Sequence, residues 1–285
     1  GRGRMERLAV LVFLGGCGLV ALEHRAALQA AFVPLSSPLD WCEDNYAVTP
    51  HVAEFWNTLS SLVLFAVAFI APQFLDPRIR THEPGTRLLW ALMALVGSGS
   101  TLFHGTLSIA GQVMDELPIG LLSMFGCFML VPPHKWNMRL RGIFFSAPFL
   151  VVAVVSCSIA CILNPIISHV LCVSWMPIVL FTFLHEYYSS TAAARNQARG
   201  MFSVMVGSFV LAFSSWLLDR FACKEVVSAL GFNPQLHAWW HVFISLTFWG
   251  CVSAGIILRC HADGLPVKLQ PSKVVMPHLV VTKDE

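Results

Sequence analysis

LHAWWHVFISLTFWGCVSAGIIL, residues 236 to 258, is a continuous apolar run without a single Asp, Glu, Lys or Arg. About 20 such residues suffice for a helix to cross the hydrocarbon core of a bilayer. The run therefore predicts a transmembrane helix, and it carries two histidines, His237 and His241, four residues apart at its start. Six further apolar runs, near 55 to 74, 88 to 107, 113 to 131, 143 to 162, 168 to 185 and 201 to 218, are separated by short polar or Gly/Pro-marked breaks. They are apolar throughout rather than alternating, which excludes a membrane β-barrel, since backbone groups in lipid must be satisfied within each segment or in a closed barrel. The expected fold is all-α, a polytopic bundle of seven transmembrane helices. Composition agrees: of 285 residues, 56% are hydrophobic and 12% charged, with a mean hydropathy of +0.69, values that a soluble surface does not tolerate.

Lys and Arg set the orientation, because cytoplasmic loops carry their excess. Arg78, Arg80, Arg87, Lys135, Arg139, Arg141, Arg195, Arg199, Arg259, Lys268, Lys273 and Lys283 fall on one side of the seven spans, and only Arg25, Arg220 and Lys224 on the other. Asp40 to Glu54 is thus expected on the lumenal or exterior side and the C-terminal tail, 261–285, in the cytosol. The net charge of +2 reflects these anchors, and no basic patch suggests nucleic acid. Ahead of the spans, Leu8 to Leu22 follows Arg2, Arg4 and Arg7 and reads as a signal peptide or signal anchor, so that 1–37 is a leader and linker. Of nine cysteines, Cys42 and Cys223 are the two expected in polar lumenal segments, where an oxidising compartment allows them to bridge.

Ionisable residues inside a membrane are costly and default to function. Ser100 and His104 in GSGSTLFH, Asp115 in QVMDELP, and His237 and His241 in QLHAWWH all fall toward the lumenal ends of their spans. Residues four apart share a helix face, so His237 and His241 present a pair to one metal ion. A third histidine, His104, leaves the fourth tetrahedral position of zinc open, as in catalytic sites. Asp115 then suits a general base, and Ser100 a donor to a developing oxyanion. Each residue alone has a plainer reading: a hydrogen-bonded buried histidine, a small helix-packing serine, an aspartate capping a helix. Their common depth is what joins them. A second polar cluster, LDWCEDNYAVTPHVAEFWNT, offers Asp40, Glu43, Asn45, Glu54 and the Trp41 carbonyl as hard oxygen ligands for calcium, or as a solvated acidic loop.

With LDWCEDNY, AEFWNT, GSGSTLFH, GQVMDELP and QLHAWWH in this order, residues 38 to 260 resemble the alkaline ceramidase family of seven-helix membrane hydrolases. The resemblance implies zinc-dependent hydrolysis of a ceramide amide to a sphingoid base and a fatty acid. Zinc would be held by His104, His237 and His241, and the catalytic positions would be Ser100 and Asp115. It further implies a calcium site at Asp40, Trp41, Glu43, Asn45 and Glu54, a disulfide between Cys42 and Cys223, and residence in the endoplasmic reticulum, Golgi or plasma membrane. No obligate protein partner is expected. Asp219 in WLLDRFAC also falls at a family-like position, with a supporting rather than catalytic role, while Ser61 stands where the family usually has Asn. Two other readings remain, a lipid esterase or phospholipase with the same zinc chemistry, and a seven-helix zinc-containing receptor.

Overall fold

The computed structural model describes residues 22–83, 85–131, 146–265, 267–270 and 277–281. Its elements in chain order are α1 (Arg25–Ala30), α2 (Phe55–Ile70, extended by a 3-10 turn Ala71–Phe74), α3 (Pro77–His82), α4 (Thr86–Thr106), α5 (Ile109–Leu130) and α6 (Ala147–Leu163). There follow α7 (Pro165–Ser189), α8 (Ala192–Phe221), α9 (Cys223–Leu230), α10 (Leu236–Ala262) and the strands β1 (Val267–Gln270) and β2 (His278–Val281). Among the described residues six helices are long and apolar enough to cross a membrane, and α6 supplies a shorter apolar seventh. The protein is an all-α integral membrane protein, as the apolar runs predict.

Apart from α2, which matches its run, each long helix extends beyond the run that announced it at one end or both. Hydropathy marks where hydrocarbon begins, whereas the backbone stays helical until a cap ends it. Thus α8 starts at Ala192, where the Thr191 side chain accepts from Ala194 N, and the polar stretch Arg195–Arg199 is helical. Similarly, Ser108 caps α5 by accepting from Gly111 N, so Asp115 lies well inside the helix rather than at its start. That removes the reading of Asp115 as a cap.

The helices form a ring in which α8 packs on α10, α10 on α2, α2 on α4, α4 on α5 and α5 on α7, with α6 outside against α5 and α7. Phe202 of α8 stacks on Tyr187 of α7 at 4.0 Å and closes the ring. Two glycines of GSGS set how closely α4 is approached. A Cβ at residue 97 would stand 2.6 Å from the Phe65 backbone nitrogen of α2, and one at residue 99 would stand 2.0 Å from the Met114 carbonyl oxygen of α5. Pro118 has no N–H to give that carbonyl, so α5 presents an unpaired acceptor edge where only glycine fits. GSGS and DELP are therefore two halves of one helix contact. Large apolar side chains such as Phe181, Val210 and Trp239 point outward, as lipid requires.

The leader run Leu8 to Leu22 lies, except for its last residue, outside the described residues, as do Lys135, Arg139, Arg141, Lys273 and Lys283. Residues after α1 hold to the turn between α4 and α5: Leu35 N donates to Thr106 O, Ser37 N to Leu107 O, and Ala110 N to Ala31 O. The tail does not simply trail away from α10. Its strands β1 and β2 pair antiparallel, and β2 docks beside α3, where Asp76 N donates to Leu279 O and the Asp76 carboxylate accepts from Val281 N.

Candidate active site and metal centre

His104 sits in the last turn of α4, and His237 and His241 in the first two turns of α10. All three are buried, and one ligand nitrogen of each lies within 4.8 Å of the others. Their outer nitrogens are held from behind. His104 Nδ1 meets Glu54 Oε2 at 2.5 Å, and His241 Nδ1 meets Ser60 Oγ at 2.8 Å. That fixes the rings and turns Nε2 of both inward. His104 Nε2 and His237 Nδ1 are buried without a hydrogen-bond partner. Buried nitrogens are rarely left so, and together the three imidazoles form a donor set fit for a metal ion.

The Trp41 ring, and not only its carbonyl, belongs to the site, stacking on His237 at 3.7 Å. Asp219 at the end of α8 accepts from His237 N at 3.2 Å and from Cys42 N at 3.1 Å. It therefore caps α10, whose own cap residue, Gln235, offers no side-chain bond. The supporting role expected of Asp219 is the one its contacts describe. Ser100, one turn before His104, accepts from Ser61 Oγ at 2.9 Å, lies 3.4 Å from His241 Nε2 and interacts with Asp115. Ser100, Asp115, His237 and His241 all line one cavity, with the buried His104 ring packed against both histidines at 4.9 Å.

The acidic segment folds over the start of α2. Glu43 caps that helix with both oxygens, accepting from Trp56 N at 2.7 Å and Asn57 N at 2.9 Å. Glu54 accepts from Trp41 N and from Asn57 Nδ2, and Asn45 donates to Asp40 Oδ1. Burial pushes the Glu54 carboxyl up to about 8 against those hydrogen bonds, with Asp40 adding to the rise, and burial raises Glu43 as well. Two neighbouring carboxyls, Glu43 and Glu54, are thus buried next to the exposed Asp40, and the buried Asn45 Oδ1 has no partner. The nearest cation, Arg220, gives its hydrogen bond to the Asp40 carbonyl and lies over the Trp41 ring at 5.7 Å. An unpaired acidic cluster of this kind fits a bound cation. Cys42 and Cys223 form the disulfide, and Asn233 Nδ2 donates to Cys42 O at 2.7 Å, so the segment is tied to the start of α10.

Sequence reasoning passed over Asn57 and Ser60, and noted Ser61 only as standing where the resembled family usually has Asn. The three recur with Glu54 at helical spacing along the start of α2, and polar residues on one face of an apolar span are the signal that marks them. Glu116, which follows Asp115 in QVMDELP, was given no role. Glu116 is buried beside the site, accepting from Gln112 Nε2, Ser168 Oγ and His169 Nδ1.

Beneath the histidines a cavity of about 540 Å³ runs between the helices. Ser100, Asp115, Glu116, His237 and His241 line one end, and Glu83, Thr86 and Arg259 the other, with apolar walls between. Only a long apolar molecule with one polar region matches that shape.

The sequence model of the family described as Ceramidase matches residues 33–279. The chain is 31% identical over 237 residues to an alkaline ceramidase of Drosophila melanogaster, covering 81% of this chain and 80% of the fly protein. It is 32% identical over 229 residues to alkaline ceramidase 3 of Mus musculus, covering 75% and 80% of the two chains. With alkaline ceramidase 1 of Homo sapiens it shares 29% over 233 residues, covering 81% and 86%. The match takes in every helix of the ring and each of the residues gathered at the histidine end, and the chain belongs to the ceramidase family.

Proposed function

We infer that the chain hydrolyses the amide bond of ceramides, releasing a sphingoid base and a free fatty acid. Family membership gives the reaction, and one structural observation carries it: three buried histidines with two unpartnered nitrogens cluster at the end of a deep apolar cavity that His237 and His241 line beside Ser100 and Asp115. His104, His237 and His241 would hold zinc, which supplies a Lewis acid and water activation at neutral pH. Asp115 takes a proton from the attacking water and returns it to the leaving amine as the C–N bond breaks. Ser100, hydrogen-bonded to Ser61 Oγ and to Asp115, is placed to turn its proton to the carbonyl oxygen as negative charge develops there. The apolar wall below holds hydrocarbon chains and keeps bulk water from the bond.

Asp40, Glu43, Asn45, Glu54 and the Trp41 carbonyl would hold calcium, which takes six to eight oxygen ligands and keeps carboxylates ionised. Glu54 links the two metal sites directly, since it touches both Trp41 N and His104 Nδ1. The skewed Lys and Arg distribution supports a lumenal active site and a cytosolic C-terminus, and the disulfide supports an oxidising lumen such as that of the endoplasmic reticulum or Golgi.

Metal analysis and a substrate panel on purified protein test this reading. Ceramides are expected to release sphingoid base with one zinc per chain, and His237→Ala to lose both zinc and turnover by at least ~10³-fold. Hydrolysis of lipid esters without release of sphingoid base, or turnover surviving the loss of zinc, would sink it.

A further inference from the structure

The cavity does not end on apolar side chains. Its far end is lined by Glu83, in the turn before α4, and Arg259, in the last turn of α10. Both are largely shielded from solvent, with side-chain exposures of 5% and 13%. Arg259 Nε lies 3.6 Å from Glu83 Oε1, its NH1 donates to the Val131 carbonyl at the end of α5, and its NH2 lies 3.8 Å from Asp263. One guanidinium therefore ties together the ends of α4, α5 and α10 across the bottom of the cavity. His82, Glu83 and Asp263 approach closely enough to suggest a metal site, but the guanidinium already stands among them.

We propose that the Glu83–Arg259 ion pair is the floor of the lipid tunnel and sets the longest hydrocarbon chain that the enzyme accepts. This inference rests on the ceramide reading above. From His241 to Arg259 the tunnel follows 18 residues of α10, about 27 Å at 1.5 Å per residue, close to the thickness of the hydrocarbon core. Along that length each buried methylene improves binding by about fourfold. At the floor the balance reverses. A further methylene must part a buried ion pair, and breaking such a pair costs a factor of about 10² to 10³, more than the methylene returns. Preference is thus expected to rise with chain length and then break sharply, not to decline gradually as at a soft apolar wall.

The test measures kcat/KM over a ceramide series from medium to very long chains, varying the acyl chain and the sphingoid chain separately. In Glu83→Gln/Arg259→Met, which removes both charges together, the ratio of kcat/KM for very long over medium chains should rise at least tenfold. Val252→Phe, which fills the tunnel above the floor, should lower that ratio at least tenfold. Should the double variant fail to fold, Arg259→Lys carries the same test, since it keeps the charge but withdraws the fork from the floor. A length break that stays in place in a folded floor variant overturns the proposal, as does a Val252→Phe profile identical to wild type in both series. Thermal stabilisation by the same lipids reads the tunnel without chemistry. A length break in stabilisation without any hydrolysis would overturn the reaction and uphold the floor.

Discussion

The two ends of the cavity both place buried charge or polarity inside the bundle, yet they treat it in opposite ways. At the histidine end, imidazole nitrogens and an asparagine oxygen remain without partners, and carboxyls crowd together. At the Glu83–Arg259 end the opposite charges face one another at 3.6 Å, an ion pair although Arg259 Nε makes no hydrogen bond, and burial, which raises Glu83, is countered first by Arg259. Polar groups that satisfy one another close a structure, whereas those that are oriented but unsatisfied await a ligand. Depth in the membrane does not distinguish the two ends. Their internal pairing does.

Gly99→Val should damage the histidine end most. Its side chain must displace the Met114 backbone, pushing Asp115 away from Ser100, and activity should fall by at least ~10²-fold, as expected when catalytic groups move by about an ångström. If activity survived within threefold, the α4–α5 contact would not be what positions those groups.

A smaller effect is expected from Glu43→Ala, which removes both caps of α2 and one proposed calcium ligand. Loss of the cap costs about 1 kcal/mol, and the calcium-induced rise in melting temperature should shrink with it. A variant whose melting still responds to chelators as wild type does would leave the acidic segment as a helix cap alone.

Asp76→Asn should have the least effect, because Asp76 lies far from the cavity, capping α3 through Arg78 N and holding the tail hairpin through Val281 N. The Arg78 guanidinium holds its carboxyl down at about 2, from an ordinary 3.8. The native value is depressed, so this stabilisation is present above about pH 4 and lost as pH falls toward 2. The variant should remove that acid-side dependence, cost no more than about 1 kcal/mol, and leave ceramide turnover unchanged. Faster proteolysis of the tail would report it, and unaltered proteolysis would show that β2 holds without Asp76.

Much of the site was legible because lipid makes polarity conspicuous. His104, Asp115, His237 and His241 stand out in apolar runs, and helical spacing with topology brings them to one depth. Ser60 escaped notice and Ser61 was given no role because a serine inside a span reads equally as packing, and only the approach of α2 to α10 and α4 turns them toward His241 and Ser100. Glu83 and Arg259 read as loop and end-of-helix charges of the kind that anchor any membrane protein. Nothing in the 175 intervening residues says that they meet.

The sequence by itself determined the helices, their number and the identity of the groups placed in lipid, because hydropathy and the cost of buried charge act locally along the chain. Tertiary structure alone decided which of those groups remain unpaired. A hydrogen bond or ion pair between distant helices depends on how closely they pack, here set by glycines at 97 and 99, and that same packing leaves one end of the cavity open to a metal and closes the other with a salt bridge.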